Sequence, residues 1–218
     1  MNWIRPPGPV AAGLRIGLLG GSFNPAHSGH LHVSRIAKKR LGLAAVWWLV
    51  SPGNPLKPDS EMAPFEARLE SARQVAKGSA FIRVTGLERE LRVHYTIDTI
   101  RALRRRFPQL ALVWLMGSDN LAQFGRWRRW QDLARLIPIA VVRRPGSIMA
   151  SLNAAPIRRF GQVRVLLACP PAVIVLDGAR SPESATRLRA FRHPGAASGL
   201  GKPAAAMLGF GSSLETRP

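Results

Sequence analysis

The fold of this chain is decided by the stretch Gly20-Gly21-Ser22-Phe23-Asn24-Pro25-Ala26-His27-Ser28-Gly29-His30. An apolar run at residues 14–19 precedes it, and residues 31–41 follow with the apolar spacing of a helix. A strand, a glycine turn and a helix start together form the place where α/β sheets hold phosphate groups. We therefore expect the glycines to let the backbone approach a ligand, and residues from Ala26 onward to offer it N–H groups.

Two familiar phosphate-binding patterns do not describe this stretch. The segment Gly17-Leu18-Leu19-Gly20 breaks the G-x-G-x-x-G spacing of dinucleotide sites, and no G-x-x-x-x-G-K-[ST] occurs in the chain. His27 and His30 are three residues apart, so a helix that forms at His27 turns both side chains the same way. The plainer alternative, a structural turn with two surface histidines, stays open at this point.

The rest of the chain alternates apolar runs with helical patterns. The predicted strands are residues 14–19, 44–50, 81–84, 110–116 and 137–142, with a further short apolar run at 172–176; the predicted helices are residues 31–41, 63–77, 96–107, 126–136 and 182–191. This alternation indicates an α/β fold with a doubly wound parallel sheet that helices cover on both faces. In the helix at 63–77 we expect Glu66, Arg68, Glu70 and Arg73 to face solvent.

Length and composition limit the class of protein. The chain has 218 residues, 46% of them hydrophobic and 20% charged, as in a globular domain. We divide it into a flexible leader at 1–13, one domain at 14–193 and a low-complexity, disordered tail at 194–218. Its apolar runs are too short to span a bilayer and its single Cys169 excludes an internal disulfide, so the cytoplasm is the default compartment.

The charge balance predicts an anionic partner. The formal net charge is +20, from 32 Lys and Arg against 12 Asp and Glu. The segment Arg126-Trp127-Arg128-Arg129-Trp130 interleaves cations and aromatic rings as single-strand binders do, so a basic nucleic-acid-binding protein is the competing class. No RNA- or DNA-binding signature occurs, however, and this class leaves the 20–30 stretch unexplained, so nucleic acid is not the expected partner.

A second hydroxyl-rich stretch lies near the end of the predicted domain, Ser184-Ala185-Thr186-Arg187-Leu188-Arg189. Ser184 and Thr186 supply hydroxyl donors for phosphate oxygens near a helix start, and Arg189 adds a planar charged fork. Taken alone, these residues also describe an ordinary helix cap followed by a solvated arginine.

Together the two stretches carry a family resemblance that runs in register from about residue 15 to residue 190. The first resembles the GSFNPxHxGH signature of the nucleotidyltransferase superfamily, most closely its nicotinate-mononucleotide adenylyltransferase branch. The second resembles the SSTxIR signature of the same superfamily, with Ala185 in place of the second serine and Leu188 in place of isoleucine. The alanine removes one hydroxyl donor that the signature supplies.

Smaller matches to the same branch lie between the two signatures. They are Lys57 at the end of Pro52-Gly53-Asn54-Pro55-Leu56-Lys57, Thr96 in Tyr95-Thr96-Ile97-Asp98-Thr99, Asp119 in Gly117-Ser118-Asp119-Asn120-Leu121, Trp127, and Arg144 in the turn Arg144-Pro145-Gly146. Each has a plainer alternative. Lys57 is then a solvated lysine and Thr96 the N-cap of a helix with an acidic first turn, while Trp130 behind Trp127 belongs to the core.

The resemblance implies a Rossmann-like fold and adenylyl transfer from ATP to nicotinate mononucleotide. It implies ATP-binding residues Gly20, Gly21, Ser22, Phe23, His27, His30, Ser184, Thr186 and Arg189, mononucleotide-binding residues Asn24, Lys57, Thr96, Asp119, Trp127 and Arg144, and catalytic roles for His27, His30, Lys57 and Arg189. The sequence has no clustered carboxylates that would cage a metal, so we expect Mg²⁺ to be held mainly by the phosphates of ATP.

Two matters stay open on the sequence alone. The same chemistry could act on nicotinamide mononucleotide or on another phosphate acceptor such as phosphopantetheine, although the segments around Thr96, Asp119 and Trp127 favour a pyridine nucleotide. The oligomeric state is also open, a homo-oligomer included.

Overall fold

The chain folds around one parallel β-sheet. The computed structural model describes residues 5–53, 62–143 and 170–177. Within them the strands are β1 (Arg15–Gly21), β2 (Ala45–Val50), β3 (Ile82–Thr85), β4 (Ala111–Gly117), β5 (Ile139–Val142) and β6 (Val173–Leu176). Apolar runs of this length, closed by glycine or proline, suit strands that are buried on both faces. The five strand predictions are confirmed to within two residues at each end, and the weaker run at 172–176 contains β6.

The strand order places β1 at the centre of the sheet. The order is β3-β2-β1-β4-β5-β6, and every pairing is parallel. The chain builds outward from β1 to one side through β2 and β3, then crosses to the other side at β4. The crevice between the carboxyl ends of β1 and β4 is therefore the topological switch point, where doubly wound sheets bind ligands.

Helices cover both faces of the sheet, as predicted. They are α1 (Ser28–Leu41), α2 (Phe65–Ala76), α3 (Leu87–Glu90), α4 (Thr96–Arg106), α5 (Ser118–Phe124) and α6 (Trp130–Leu136). One core cluster joins the sheet to buried residues of α3 to α6, and the other joins it to α1 and α2. No helix in the described part of the chain is long and apolar enough to cross a membrane.

Several helix boundaries differ from the predictions. Helix α1 begins at Ser28 rather than at residue 31, because His27 caps it. It ends as predicted at Gly42, whose φ of 60° is a left-handed cap conformation. Residues 118–124 form α5 where a loop was predicted, and the helix predicted at 126–136 starts only at Trp130. Short amphipathic segments of one or two turns give too little periodicity to be recognised.

The described part of the predicted leader lies against the domain. Val10 packs on the core cluster that faces α3 to α6, and its carbonyl accepts a hydrogen bond from Gln109 Nε2 at 3.0 Å. Gly13 N donates to the carbonyl of Gln109 at 3.0 Å. Residues 5–13 thus differ from a loose leader. The tail predicted at 194–218 and the helix predicted at 182–191 lie outside the described residues.

Candidate active site

The candidate site lies at the carboxyl edge of the sheet, where β1 and β4 deliver their loops. Residues 22–27 connect β1 to α1, and Ser118 opens α5 directly after β4. Because β1 and β4 are parallel neighbours, the two loops leave the sheet at the same edge, where the strands have their carboxyl ends. The sequence signature at 20–30 is thereby located at the switch point of the fold.

His27 and His30 cap helix α1 with each other. Gly29 N donates to His27 Nδ1 at 3.0 Å, and His27 N donates to His30 Nδ1 at 3.2 Å. This reciprocal arrangement is a capping box built from two imidazoles. The rings lie side by side, with centroids 4.1 Å apart, and His27 is only 5% exposed. The prediction that both side chains point the same way is confirmed.

The cap also determines which ring nitrogen of each histidine donates. Both Nδ1 atoms accept a backbone N–H, so neither carries a proton in this arrangement. A neutral imidazole has one donor nitrogen and one acceptor nitrogen, so the proton of each neutral ring lies on Nε2. The cap therefore presets His27 and His30 as Nε2–H donors.

The backbone at this helix start differs from the expectation that residues from Ala26 onward offer N–H groups to a ligand. Gly29 N is bonded to the His27 ring, and His30 N donates to the His27 carbonyl at 3.0 Å. His27 N is itself bonded to His30. The side chains of the cap have taken up amides that would otherwise face a phosphate, because N-terminal amides are satisfied by the nearest acceptor.

The Phe23 ring packs against both His30 and Trp48. It lies 4.5 Å from the His30 ring and is stacked at 5.1 Å on Trp48 of β2. The residue is 1% exposed, and its φ of 48° is a left-handed conformation that is uncommon outside glycine. The Phe23 side chain is therefore buried under the histidine pair, so any contact it makes with ATP is through its backbone.

Gly20 and Gly21 have different reasons to be glycine. A Cβ at Gly20 would meet Trp114 Cη2 at 2.3 Å, so the absence of a side chain lets the Trp114 ring lie against β1. A Cβ at Gly21 would meet only ordinary contacts, the nearest at 3.6 Å on the Phe23 ring. At Gly20 the space that a side chain would need is occupied by a tryptophan of the protein itself.

Arg68 is the site residue that the sequence analysis missed. We expected it to face solvent with its neighbours, but it is 2% exposed. Its Nη1 donates to the carbonyls of Ser22 at 2.7 Å and Ser51 at 2.8 Å, its Nη2 donates to Pro52 O at 3.0 Å, and its Nε donates to Ala63 O at 2.9 Å. The expectation was wrong because the acceptors lie on other segments. No local signal in the sequence distinguishes Arg68 from the charged residues beside it on the helix.

Asn24 belongs to the same set of contacts. Its side-chain Oδ1 accepts a hydrogen bond from Ala63 N at 3.3 Å, just before α2 begins. Ser51 N in turn donates to Gly21 O at 3.0 Å, which continues the ladder between β1 and β2 beyond the strand ends. The loop after β1, the loop after β2 and the start of α2 are thus joined through Asn24 and Arg68.

The segments that lead into and out of β4 carry three further predicted residues, Thr96, Asp119 and Trp127. Thr96 is the first residue of α4, and the N-cap is Tyr95 without a side-chain hydrogen bond, so Thr96 is not the N-cap. Asp119 is exposed in the first turn of α5. The Trp127 ring packs edge-on against Trp114 at 6.0 Å. Trp130, half-buried, packs edge-on against Phe124 and the core cluster.

The segments that carry Thr96 and Trp127 meet. The Arg128 guanidinium lies 4.4 Å from the centroid of the Tyr95 ring, a cation–π contact between the start of α4 and the segment after α5. Trp127 is half-buried, with its inner edge on Trp114 and Phe124. Trp114 also lies against Gly20, the first residue of the 20–30 stretch. The Trp114 ring is therefore in contact with both Trp127 and that stretch.

A buried acid, Glu88, contacts the helix that begins at Thr96. Glu88 in α3 is 7% exposed, and Thr99 Oγ1 in α4 donates to its Oε1 at 2.9 Å. Burial raises the pKa of Glu88 from 4.5 to about 7, and the hydrogen bond from Thr99 lowers it only in part. Glu88 is not a candidate in the sequence analysis, because a glutamate in Leu-Glu-Arg-Glu resembles any solvated helix residue.

The remaining predicted site residues lie outside the described residues. They are Lys57, Arg144, Ser184, Thr186 and Arg189, together with the Ala185 substitution. The meeting of residues 184–189 with His27 and His30 stays a prediction. Among residues 5–53, 62–143 and 170–177, no group of three or more His, Cys, Asp and Glu side chains is arranged to hold a metal ion.

Comparison with known proteins gives the family. A family model described as cytidylyltransferase-like matches residues 18–191. A protein of Parvibaculum lavamentivorans named probable nicotinate-nucleotide adenylyltransferase is 49% identical over 188 residues, covering 83% of this chain and 93% of the relative. A protein of the same name from Methylorubrum extorquens strain PA1 is 47% identical over 184 residues, covering 81% of this chain and 99% of the relative. The chain belongs to the nicotinate-nucleotide adenylyltransferases of the cytidylyltransferase-like family.

A solved structure supports the fold of this family member. The nicotinic acid mononucleotide adenylyltransferase of Plasmodium falciparum, solved in complex with NaAD, superposes with a TM-score of 0.63 over 82% of this chain and 83% of its own. At 16% sequence identity this likeness concerns the fold alone. The Rossmann-like sheet predicted from the sequence is confirmed, and the family match spans both signatures.

Proposed function

We propose that this chain transfers the adenylyl group of ATP to nicotinate mononucleotide, which yields nicotinate adenine dinucleotide and pyrophosphate in NAD biosynthesis. The observation that carries the proposal is the histidine capping box at the switch point. Two Nε2–H donors, preset by their own backbone contacts, lie beside the loop that follows the central strand. Membership of the nicotinate-nucleotide adenylyltransferases narrows the acceptor to a pyridine mononucleotide.

The reaction needs alignment and charge neutralisation more than a strong base. An oxygen of the 5′-phosphate of the mononucleotide attacks the α-phosphorus of ATP, and the bond from that phosphorus to the oxygen of the β-phosphate breaks. The electron pair leaves with pyrophosphate. Because the nucleophile is already an anion, the enzyme gains rate by holding both groups in line and by stabilising negative charge in the transition state.

His27 and His30 perform the second task in this proposal. Their Nε2–H groups donate to oxygens of the α-phosphate and the departing pyrophosphate, where charge develops. Donors that are already oriented stabilise a transition state without reorganising. Phe23 and Trp48 hold His30 in this orientation from below, since the Phe23 ring contacts both. Gly20, Gly21 and Ser22 contribute backbone around the same phosphates.

The other phosphate contacts are assigned from the family signatures. Ser184, Thr186 and Arg189 hold the triphosphate, and Lys57 and Arg144 offset charge near the two reacting phosphates. Ala185 leaves this set with one hydroxyl fewer than the signature. Hydroxyls and arginine forks are the usual partners of phosphate oxygens.

The mononucleotide is proposed to lie on the β4 side of the crevice. The partly exposed Trp127 ring offers a flat surface for the pyridine ring, Thr96 and Asp119 add polar groups from the starts of α4 and α5, and Asn24 adds one from the loop after β1. Contact between Arg128 and Tyr95 brings the segments that carry Thr96 and Trp127 together, which supports a shared binding surface.

Mg²⁺ is proposed to arrive with ATP. The described residues offer no cluster of metal ligands, and Mg²⁺ commonly keeps phosphate and water oxygens as its main ligands in such reactions. When bound, it offsets negative charge on the triphosphate. We propose the cytoplasm, which supplies ATP, as the compartment.

A pyrophosphate-release assay tests the proposal. ATP is supplied with nicotinate mononucleotide, nicotinamide mononucleotide or phosphopantetheine in turn, and without an acceptor. We expect release that depends on the acceptor and is fastest with the nicotinate. Faster release with one of the others would move the activity to that acceptor. Salt-dependent retention on nucleic acid, without turnover of any nucleotide, would favour the binding-protein alternative.

A further inference from the structure

The buried guanidinium of Arg68 joins three segments that meet only at the candidate site. It donates to the carbonyls of Ser22 after β1, of Ser51 and Pro52 after β2, and of Ala63 before α2. Within the described residues none of the ion pairs includes Arg68, and its guanidinium is held by these backbone carbonyls and by the Phe65 ring, whose centroid lies 5.5 Å away. Burial lowers the pKa of Arg68, but an arginine keeps its proton at neutral pH.

This arrangement fixes the distance between two loops. One nitrogen, Nη1, donates to both Ser22 O at 2.7 Å and Ser51 O at 2.8 Å. A guanidinium is planar and its donors point in fixed directions, so carbonyls bound to it cannot shift separately. Ser22 belongs to the stretch that leads to the histidine cap. Ser51 and Pro52 begin the stretch that leads along the chain to Lys57.

We propose that Arg68 is a positioning residue for adenylyl transfer, which holds the loop after β1 and the loop after β2 at the separation that the reacting phosphates require. This role rests on the function proposed above. Arg68 acts through the backbone of Ser22, Ser51 and Pro52. Ser22 belongs to one loop and Ser51 and Pro52 to the other. Arg68 therefore adds to the bond between Ser51 N and Gly21 O a contact that ties both loops to one rigid group.

The proposal separates alignment from the binding of ATP. The contacts of the histidine cap lie within residues 27–30 and do not involve Arg68. Loss of Arg68 should therefore leave the affinity for ATP nearly unchanged, while the two loops lose their fixed separation. Displacement of aligned groups by about 1 Å costs on the order of 10²-fold in rate.

The test compares Arg68→Lys and Arg68→Met with Leu103→Ala in purified full-length enzyme. Lysine keeps the charge but lacks the planar fork, and methionine keeps much of the volume but has no donor. Leu103, buried in α4 among the core residues of the other face, is the control for loss of stability without loss of the clamp. Steady-state rates are measured well below the unfolding midpoint of each variant.

We expect kcat to fall about 10²-fold in Arg68→Met and about 10-fold in Arg68→Lys, with KM for ATP within about twofold of wild type. Leu103→Ala should keep its kcat despite a lower unfolding midpoint. Hydrogen exchange of residues 20–24 and 51–53 should accelerate in the Arg68 variants and not in Leu103→Ala. If Arg68→Met does not fold, Arg68→Lys carries the same comparison.

Two results would overturn the inference by itself. One is an Arg68→Lys variant that folds and keeps the kcat of an active wild-type enzyme. The other is a fall of kcat in Leu103→Ala as large as in an Arg68 variant of the same stability, since the loss would then reflect general destabilisation. A wild type that releases no pyrophosphate with any acceptor would instead refute the proposed function, and the role of Arg68 with it.

Discussion

Two buried charged residues lie under the two sides of the candidate site, and the protein treats them in opposite ways. Arg68, under the loops after β1 and β2, has four backbone carbonyl contacts. Glu88, under the start of α4, has one hydrogen bond from a side-chain hydroxyl, that of Thr99. We call the first the phosphate side, comprising residues 20–30, 51–53 and Arg68, and the second the acceptor side, comprising residues 87–99 and 118–127.

The difference shows how each side tolerates a charge. The guanidinium is surrounded by oxygens that replace its water, so it remains a cation that organises the loops. The carboxyl group lacks comparable donors, and burial therefore raises the pKa of Glu88 to about 7. We infer that the phosphate side is held by electrostatic contacts with the backbone, whereas the acceptor side is held mainly by apolar packing and carries an acid that ionises only at a cost.

The largest expected effect is on the pH dependence of stability, and it belongs to the acceptor side. The pKa of Glu88 is higher in the folded protein than its ordinary 4.5, so the folded state binds the proton more tightly. Stability is therefore fully present below about pH 4.5 and falls as the pH rises to about 7, by roughly 3 kcal/mol. We expect the free energy of unfolding of Glu88→Gln, taken relative to that of wild type, to be about 3 kcal/mol higher at pH 8 than at pH 4. Urea unfolding at the two pH values measures this difference.

Glu90→Gln is the matched control, because Glu90 lies exposed on the same short helix. Its difference from wild type should be the same at both pH values. A Glu88→Gln curve that stays parallel to wild type between pH 4 and pH 8 would contradict the account of an acid whose pKa is raised by burial.

On the phosphate side, His30→Ala should lower kcat about 10²-fold, the scale of losing one preorganised donor. The loss should be the same with every acceptor that the enzyme accepts, because in the proposed mechanism His30 donates to the phosphates of ATP. His32→Ala is the control. It lies on the same helix about 200° away from His30, and it should keep its activity. A purified His30→Ala enzyme with wild-type turnover would remove the histidine cap from the mechanism.

The contact between the two sides is tested at Gly20. Alanine there puts a methyl group 2.3 Å from Trp114 Cη2, and the rigid ring must move, which we expect to lower the free energy of unfolding by about 2 kcal/mol. Gly21→Ala, with its nearest contact at 3.6 Å, should cost less than about 1 kcal/mol. Equal losses in thermal unfolding would mean that Trp114 does not lie against Gly20 as described.

The smallest effect is expected from Trp127→Ala, which should raise KM for the mononucleotide about 10-fold and leave KM for ATP unchanged, the scale of one lost aromatic stacking contact. Trp127→Phe should recover part of the loss. Since Trp127 packs on Trp114 and Phe124, the unfolding midpoint is measured beside the kinetics. Equal rises in both KM values would assign Trp127 to packing rather than to the pyridine ring.

Much of this arrangement could be predicted from the sequence, because it depends on neighbours along the chain. The strand before the glycines, the helix after them and the common direction of His27 and His30 all follow from residues within a few positions of each other, although the helix begins three residues earlier than predicted. Parallel strands and their helices follow from the alternation of apolar runs. Family membership followed from the two signatures and was confirmed by the relatives.

What the sequence could not predict depends on residues that are distant along the chain. Arg68 and Ser22 are 46 positions apart, and only packing of α2 on the sheet brings the guanidinium to that carbonyl. The same applies to Glu88, which lies in sequence between the buried Leu87 and the exposed Arg89, while its own carboxyl group packs against α4 and accepts from Thr99. The sequence predicts a glycine at position 20 that lets backbone approach a ligand, and only the structure shows that a tryptophan on another strand also requires it.

The order of elements, the chemistry-bearing residue types and the family are thus readable from the amino-acid sequence. Which charges are buried, which amides the histidines occupy and what holds the two loops together depend on the folded arrangement. The physical reason is that propensity and capping act over one or two turns of chain, whereas burial and desolvation depend on every segment that packs around a group.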